Sequence, residues 1–194
     1  MKQLPHNQNG FTLVETLVAI LILSMTVGAL LTLAAGGFFS VRYARNDIVA
    51  NNLAQESLEY LRNSRDTLIA QGGTWDEWKN LLTADESGSI TGDFGRGCFS
   101  DTGCIVDPYT VDPAIRECRD QCENITYFSS HGFYGYEVEY TLIDGERYPT
   151  TYIRKIYATE TDPNQVIVTA QMTWLNGTST KTTSQSTMLT KWTP

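Results

Sequence analysis

Charge is missing from a long stretch near the start of the chain. From Thr16 to Val41 no residue is ionisable. A surface helix carries charge on its solvent face, so that role is excluded, and the run exceeds the roughly 20 apolar residues needed to cross a hydrocarbon core. Histidine is also scarce, with only His6 and His131 in 194 residues. A Ser-His-Asp device would therefore rest on His131 alone, and no G-x-S-x-G elbow, Walker loop or dinucleotide glycine motif is present. Glu137 and Glu139 stand two apart on an expected strand, where they share a solvent face rather than form an acid/base pair. The chain reads as a protein that is no enzyme and needs no cofactor. Lysine and arginine total 14 against 22 acidic residues, for a net charge of -8, which argues against nucleic acid as a partner of the body as a whole.

Cysteine is limited to Cys98, Cys104, Cys118 and Cys122, all inside one loop-like window. An even number of clustered cysteines suits disulfides in an oxidising compartment. The spacings C-x5-C and C-x3-C lack the C-x2-C knuckle of structural zinc sites, and the window holds no histidine. Proximity favours Cys98 with Cys104 and Cys118 with Cys122, while the two nested pairings stay open at this level. The acids of the same region, Asp85, Glu86, Asp93, Asp101, Asp107 and Asp112, fit no calcium-loop pattern. They read as solvated side chains, and no metal is expected.

The apolar run has one ionisable neighbour, Glu15, which lies in the first turn of the expected helix. Thr12 and Glu15 stand as T-x-x-E, the spacing of a capping box, and a carboxylate suits the positive end of the helix dipole. Such a charge next to lipid is nevertheless costly unless something neutralises it. A secretory signal peptide fits poorly, because the run is longer than its usual apolar core, lacks an A-x-A site and starts with Glu15. Orientation is not set by the positive-inside rule, since Lys2 stands alone before the run and Arg42 and Arg45 follow it.

The short polar leader MKQLPHNQNG, then Phe11, TLVE and a long apolar helix resemble the prepilin signature of type IV pilins and pseudopilins. That resemblance implies cleavage by a prepilin peptidase after Gly10 and N-methylation of Phe11. It also implies that Glu15, capped by Thr12, meets the amino terminus of a neighbouring subunit during assembly. With the leader gone the net charge falls from -8 to -9, because Lys2 leaves with it. The stretch ANNLAQESLEYLRNSRD and a strand ending V-x-V-x-A-x-M-x-W are similar to minor pilins and pseudopilins of the PilV or general-secretion I type. The mid-segment proline typical of many major pilins is absent.

Beyond Val41 the helical pattern continues. Ala44, Ile48, Asn51, Ala54, Leu58, Leu61 and Leu68 draw one stripe with charged residues opposite, and Gly72 and Gly73 end it. A helix from Phe11 to Ala70 would be about 90 Å long. Thr74 and Glu77 form a second possible capping box, opening a short helix that places Trp75, Trp78, Leu81 and Leu82 on one face. From Ala84 to Cys122 the chain reads as an irregular excursion. Strands follow over 134–143, 150–159, 166–175 and about 181–192, separated by turn signals.

The expected fold is α+β and pilin-like: one long N-terminal helix packed on an antiparallel sheet of about four strands, with a disulfide-held loop. The expected divisions are a leader over 1–10, a transmembrane and assembly segment over 11–41, an amphipathic half-helix over 42–71, and a globular head over 72–194. The implied function is that of a minor pilin or pseudopilin in a type IV pilus or type II secretion-like filament. A major subunit, a tip adhesin or DNA-uptake pilin using the loop from Gly88 to Tyr127 or exposed tryptophans, and a plain one-span membrane protein are the alternatives. Implied partners are other pilin subunits and the prepilin peptidase, with the assembly platform and its ATPase acting indirectly. The implied location is the inner membrane as a single-pass precursor, then an extracellular or periplasmic filament.

Overall fold

The computed structural model describes residues 10, 12–109, 114–130, 132–136 and 146–192. His131, Glu137, Glu139, Asp112 and most of the strand expected over 134–143 lie outside the described residues. The chain divides between Arg45 and Asn46 into two compact units. Helix α1, Leu13–Ala70, supplies the first unit from its start and contributes its later turns to the second.

In the second unit α1 buries Ala50, Leu53, Ala54, Ser57, Leu58, Leu61 and Ile69. The line repeats at steps of three and four through Leu61, as a single helix face must. It is rotated from the expected stripe: Ile48 is exposed, Asn51 and Leu68 are half-buried, and Leu53 and Ser57 take the inner positions. The reason is that Ala50, Ala54 and Ser57 are small enough for the helix to approach the sheet closely. Asn51 sits at the margin, where its Oδ1 accepts from Gln185 Nε2 at 2.9 Å. Full burial of Leu58 and Leu61 is worth about 1.5–3 kcal/mol each.

The helix ends in two glycines. Gly73 N–H donates to Leu68 O at 2.9 Å and Gly72 N–H to Ile69 O at 3.0 Å, the paired bonds of a Schellman motif, with Gly72 at φ 87°. Helix α2, Trp75–Leu81, then opens on a complete capping box: Thr74 Oγ1 accepts from Glu77 N–H and Glu77 Oε2 accepts from Thr74 N–H. Trp75 and Trp78 are buried, not displayed, with Trp78 Nε1 donating to Ser64 Oγ at 3.0 Å. These tryptophans therefore offer no adhesive surface.

Among the described residues the sheet has seven antiparallel strands rather than about four: β1 Cys104–Val106, β2 Ile115–Glu117, β3 Asn124–Phe128, β4 Phe133–Gly135, β5 Arg147–Asp162, β6 Gln165–Asn176 and β7 Ser179–Thr190. Strands β5, β6 and β7 form the expected meander. The other long edge of β5 is shared end to end, β3 pairing along 147–153 and β1 at Ile156, with β4 and β2 outside them. The supposedly irregular region thus contains short strands. Val166, Val168, Ala170, Met172 and Trp174 alternate inward on β6, as expected, and join the buried helix line, Ile156 and Leu189 in one core.

Both disulfides are local. Cys98 pairs with Cys104, tying the 3-10 turn Gly97–Phe99 to β1, and Cys118 pairs with Cys122, closing the connection from β2 to β3.

Candidate functional site

The segment with the strongest functional signal is the start of α1. Thr12 Oγ1 accepts from Glu15 N–H at 3.2 Å, and Thr12 O accepts from Thr16 N–H at 3.2 Å, so Thr12 caps the helix and leaves the Glu15 carboxylate in its first turn. Gly10 is exposed, and no atom lies within 4 Å of where a Cβ would stand. Phe11 lies outside the described residues.

Downstream the surface is almost wholly apolar. Leu13, Val14, Leu17, Leu23, Leu33 and Phe38 are among the exposed side chains, and this part of α1 is long and apolar enough to cross a membrane with none of it buried. Exposed apolar surface on this scale marks contact with lipid or with other proteins. The polar side chains are satisfied inside the helix: Thr16 donates to Leu13 O, Ser24 to Ile20 O, Thr26 to Leu23 O, Thr32 to Gly28 O and Ser40 to Gly36 O. Such back-bonding is what a hydrocarbon environment demands, since it offers no water to hydroxyls. The carboxylate of Glu15 alone is left over. Added Cβ atoms at Gly28, Gly36 and Gly37 would meet nothing among the described residues, and glycines in such a helix leave flat places where another helix can approach.

The head is held by a charge cluster that sequence reasoning missed. Arg154, on β5, has zero exposure; its Nη1 donates to Leu53 O and to Glu56 Oε2, both at 3.0 Å, and its Nη2 donates to Val106 O at 2.6 Å. One guanidinium thus joins α1, β1 and β5. The Tyr109 hydroxyl donates to Glu56 Oε1 at 2.9 Å. Burial, and then the Glu56 carboxylate beside it, push the Tyr109 hydroxyl up to about 12. The signal for Arg154 was its phase: in TTYIRKIYAT it alternates with Tyr152, Ile156 and Ala158, all on the inner face.

A second buried cation, Lys79 on α2, reaches Glu160 at 2.9 Å and Asp76 at 3.3 Å. Burial alone would lower its pKa, but these hydrogen-bonded carboxylates outweigh burial and hold the ammonium above its ordinary value. Of the acids considered for calcium, Asp85 accepts from Ser87 and Ser89 N–H and Asp93 from Gly95 N–H, while Asp112 lies outside the described residues. Among the described residues no group of three or more potential ligands is placed to hold a metal.

A family model described as the prokaryotic N-terminal methylation motif matches residues 5–35. The chain carries a type IV pilin-like prepilin signature. No curated protein and no solved structure matches the chain. The prepilin match covers Gly10, Phe11, Thr12, Glu15 and the first apolar turns, and stops well before the Arg154 cluster.

Proposed function

We propose that this chain is a structural subunit of a type IV pilus or type II secretion-like filament, a minor pilin or pseudopilin rather than an enzyme. A prepilin peptidase cleaves after Gly10 and methylates the new amino group of Phe11. The subunit then waits in the inner membrane as a one-span protein. Assembly moves its apolar helix into a bundle of neighbouring helices, where the Glu15 carboxylate meets the Phe11 amino group of an adjacent copy.

The observation that carries this reading is the isolation of Glu15. Every other polar side chain of the apolar run is bonded to its own helix, whereas the Glu15 carboxylate is exposed and needs a cation. A carboxylate in an apolar bundle is tolerated when a well-placed positive group pairs with it. The freed amino terminus of a neighbour supplies that group. The missing mid-segment proline and the ANNLAQESLEYLRNSRD stretch support the minor-pilin form of the proposal.

Glu15→Ala should insert in the membrane and be cleaved, yet fail to enter filaments; normal incorporation of that variant refutes the register role. Gly10→Val should accumulate as uncleaved precursor.

A further inference from the structure

Most arginines of this acidic chain have a carboxylate partner. Arg62, Arg65, Arg96, Arg116, Arg119 and Arg154 each lie 3.9 Å or less from an Asp or Glu oxygen. Arg42 and Arg45 differ: both are exposed, and among the described residues neither guanidinium has an ion pair or a hydrogen bond. Asp47, the nearest carboxylate along the helix, stands two residues beyond Arg45, and side chains two apart on a helix do not face each other. A chain with 22 acidic residues thus leaves two neighbouring cations for something outside itself.

Their place along α1 identifies the partner. The helical rise puts Arg42 about 40 Å and Arg45 about 45 Å beyond Glu15, with no charge between Glu15 and Arg42. A bilayer with its headgroups is about 40–45 Å thick. When Glu15 lies at one surface, both guanidiniums reach the phosphate layer of the opposite one. Tyr43, between them, is of a residue type that collects at this depth.

The helix face agrees with that setting. Leu31, Ala35, Phe38, Arg42 and Arg45 follow one another at steps of four and three, so they share one side of α1. Leu31 and Phe38 are exposed there. The side is apolar where acyl chains run and doubly cationic where headgroups lie. Cβ atoms three residues apart are about 5–6 Å from each other, close enough for two guanidiniums to hold one phosphate, whose oxygens match their planar forks.

We propose that Arg42 and Arg45 together bind the phosphate of an anionic phospholipid whose acyl chain lies along Phe38 and Leu31, in the leaflet that α1 reaches at its Arg42 end. The lipid supplies the anion that the chain itself withholds. This rests on the one-span precursor of the proposed function, and not on cleavage at Gly10 or on the Glu15 contact.

The test embeds the full chain in bilayer discs of equal phosphatidylglycerol and phosphatidylcholine, extracts it in mild detergent and weighs the protein with its retained lipids. Phosphatidylglycerol should be retained over phosphatidylcholine by about fivefold for each arginine. Arg42→Gln with Arg45→Gln should lose that preference, and Arg42→Lys with Arg45→Lys, which keeps both charges, should retain most of it. Arg147→Gln with Lys191→Gln removes as much charge from exposed positions of the head and should leave the preference unchanged. No preference in the parent chain, a preference that survives loss of both arginines, or an equal loss in the head variant overturns the proposal. So does a second copy of the chain released by Arg42→Gln with Arg45→Gln while lipid retention stays the same. Cleavage at Gly10 and filament entry of Glu15→Ala are read in separate assays, so the filament reading and the lipid site fail on different results.

Discussion

Arg154 Nη1 lies 3.0 Å from Glu56 Oε2, joining the central strand of the sheet to the helix through a guanidinium with zero exposure. Glu56 is partly exposed, so this pair sits at the border between core and solvent. Removing a buried member of such a pair leaves its partners unsatisfied. Arg154→Ala should therefore lower the stability of the head by about 3–5 kcal/mol. Urea unfolding followed by tryptophan fluorescence measures it; an unchanged midpoint would show that the cluster does not hold α1 to the sheet.

Tyr109 gives the same cluster a pH dependence. Its hydroxyl is raised to about 12 in the folded protein, by burial and by Glu56, against an ordinary value near 10. Folding thus favours the protonated phenol. That contribution is complete below pH 10 and disappears as pH rises through 12. Urea midpoints across this range should fall, and should fall less steeply in Tyr109→Phe, where no phenol at this position can ionise.

The disulfides enclose short loops, with sequence separations of 6 and 4. Chain-entropy arguments give about 2 kcal/mol for each loop of this size. All four cysteines are held in disulfides, with no free thiol, so alkylation of the native protein without reductant should leave its mass unchanged. Cys98→Ser with Cys104→Ser should lower the urea midpoint, and the same holds for the second pair.

Gly97 sits at φ 63°, and a Cβ there would collide with Leu82 O. Its neighbour Cys98 N–H donates to that same oxygen at 2.8 Å, so the collision cannot be relieved by moving the 3-10 turn away without losing a bond. Gly97→Ala should cost about 2–4 kcal/mol, combining left-handed strain with overpacking. Gly92→Ala, where nothing lies nearby, isolates the strain alone and should cost less.

The parts of this molecule that were legible in the sequence are those with long periodic patterns. The apolar run, the glycine stop at Gly72, the Thr74–Glu77 capping box and the alternation from Val166 to Trp174 each repeat a physical rule over many residues. The strands β1 and β2 were not legible, because three residues such as Cys104–Val106 show no period. Ala54, Leu58 and Leu61 of the expected helix stripe are buried, but Ile48 and Asn51 give way to Leu53 and Ser57, a choice that the sheet settles. Arg154 escaped notice since a charged residue in a strand is normally assigned to the solvent face. The start of α1 was readable for the opposite reason: Glu15 breaks an otherwise uncharged pattern.

The most direct test of the pilin reading is the intact mass and N-terminal sequence of the protein recovered from its own host's membranes. The account predicts a chain that starts at N-methyl-Phe11 and gains four alkyl groups only after reduction, one for each cysteine of the two disulfides. A chain that starts at Met1, or near Gly36, would contradict it.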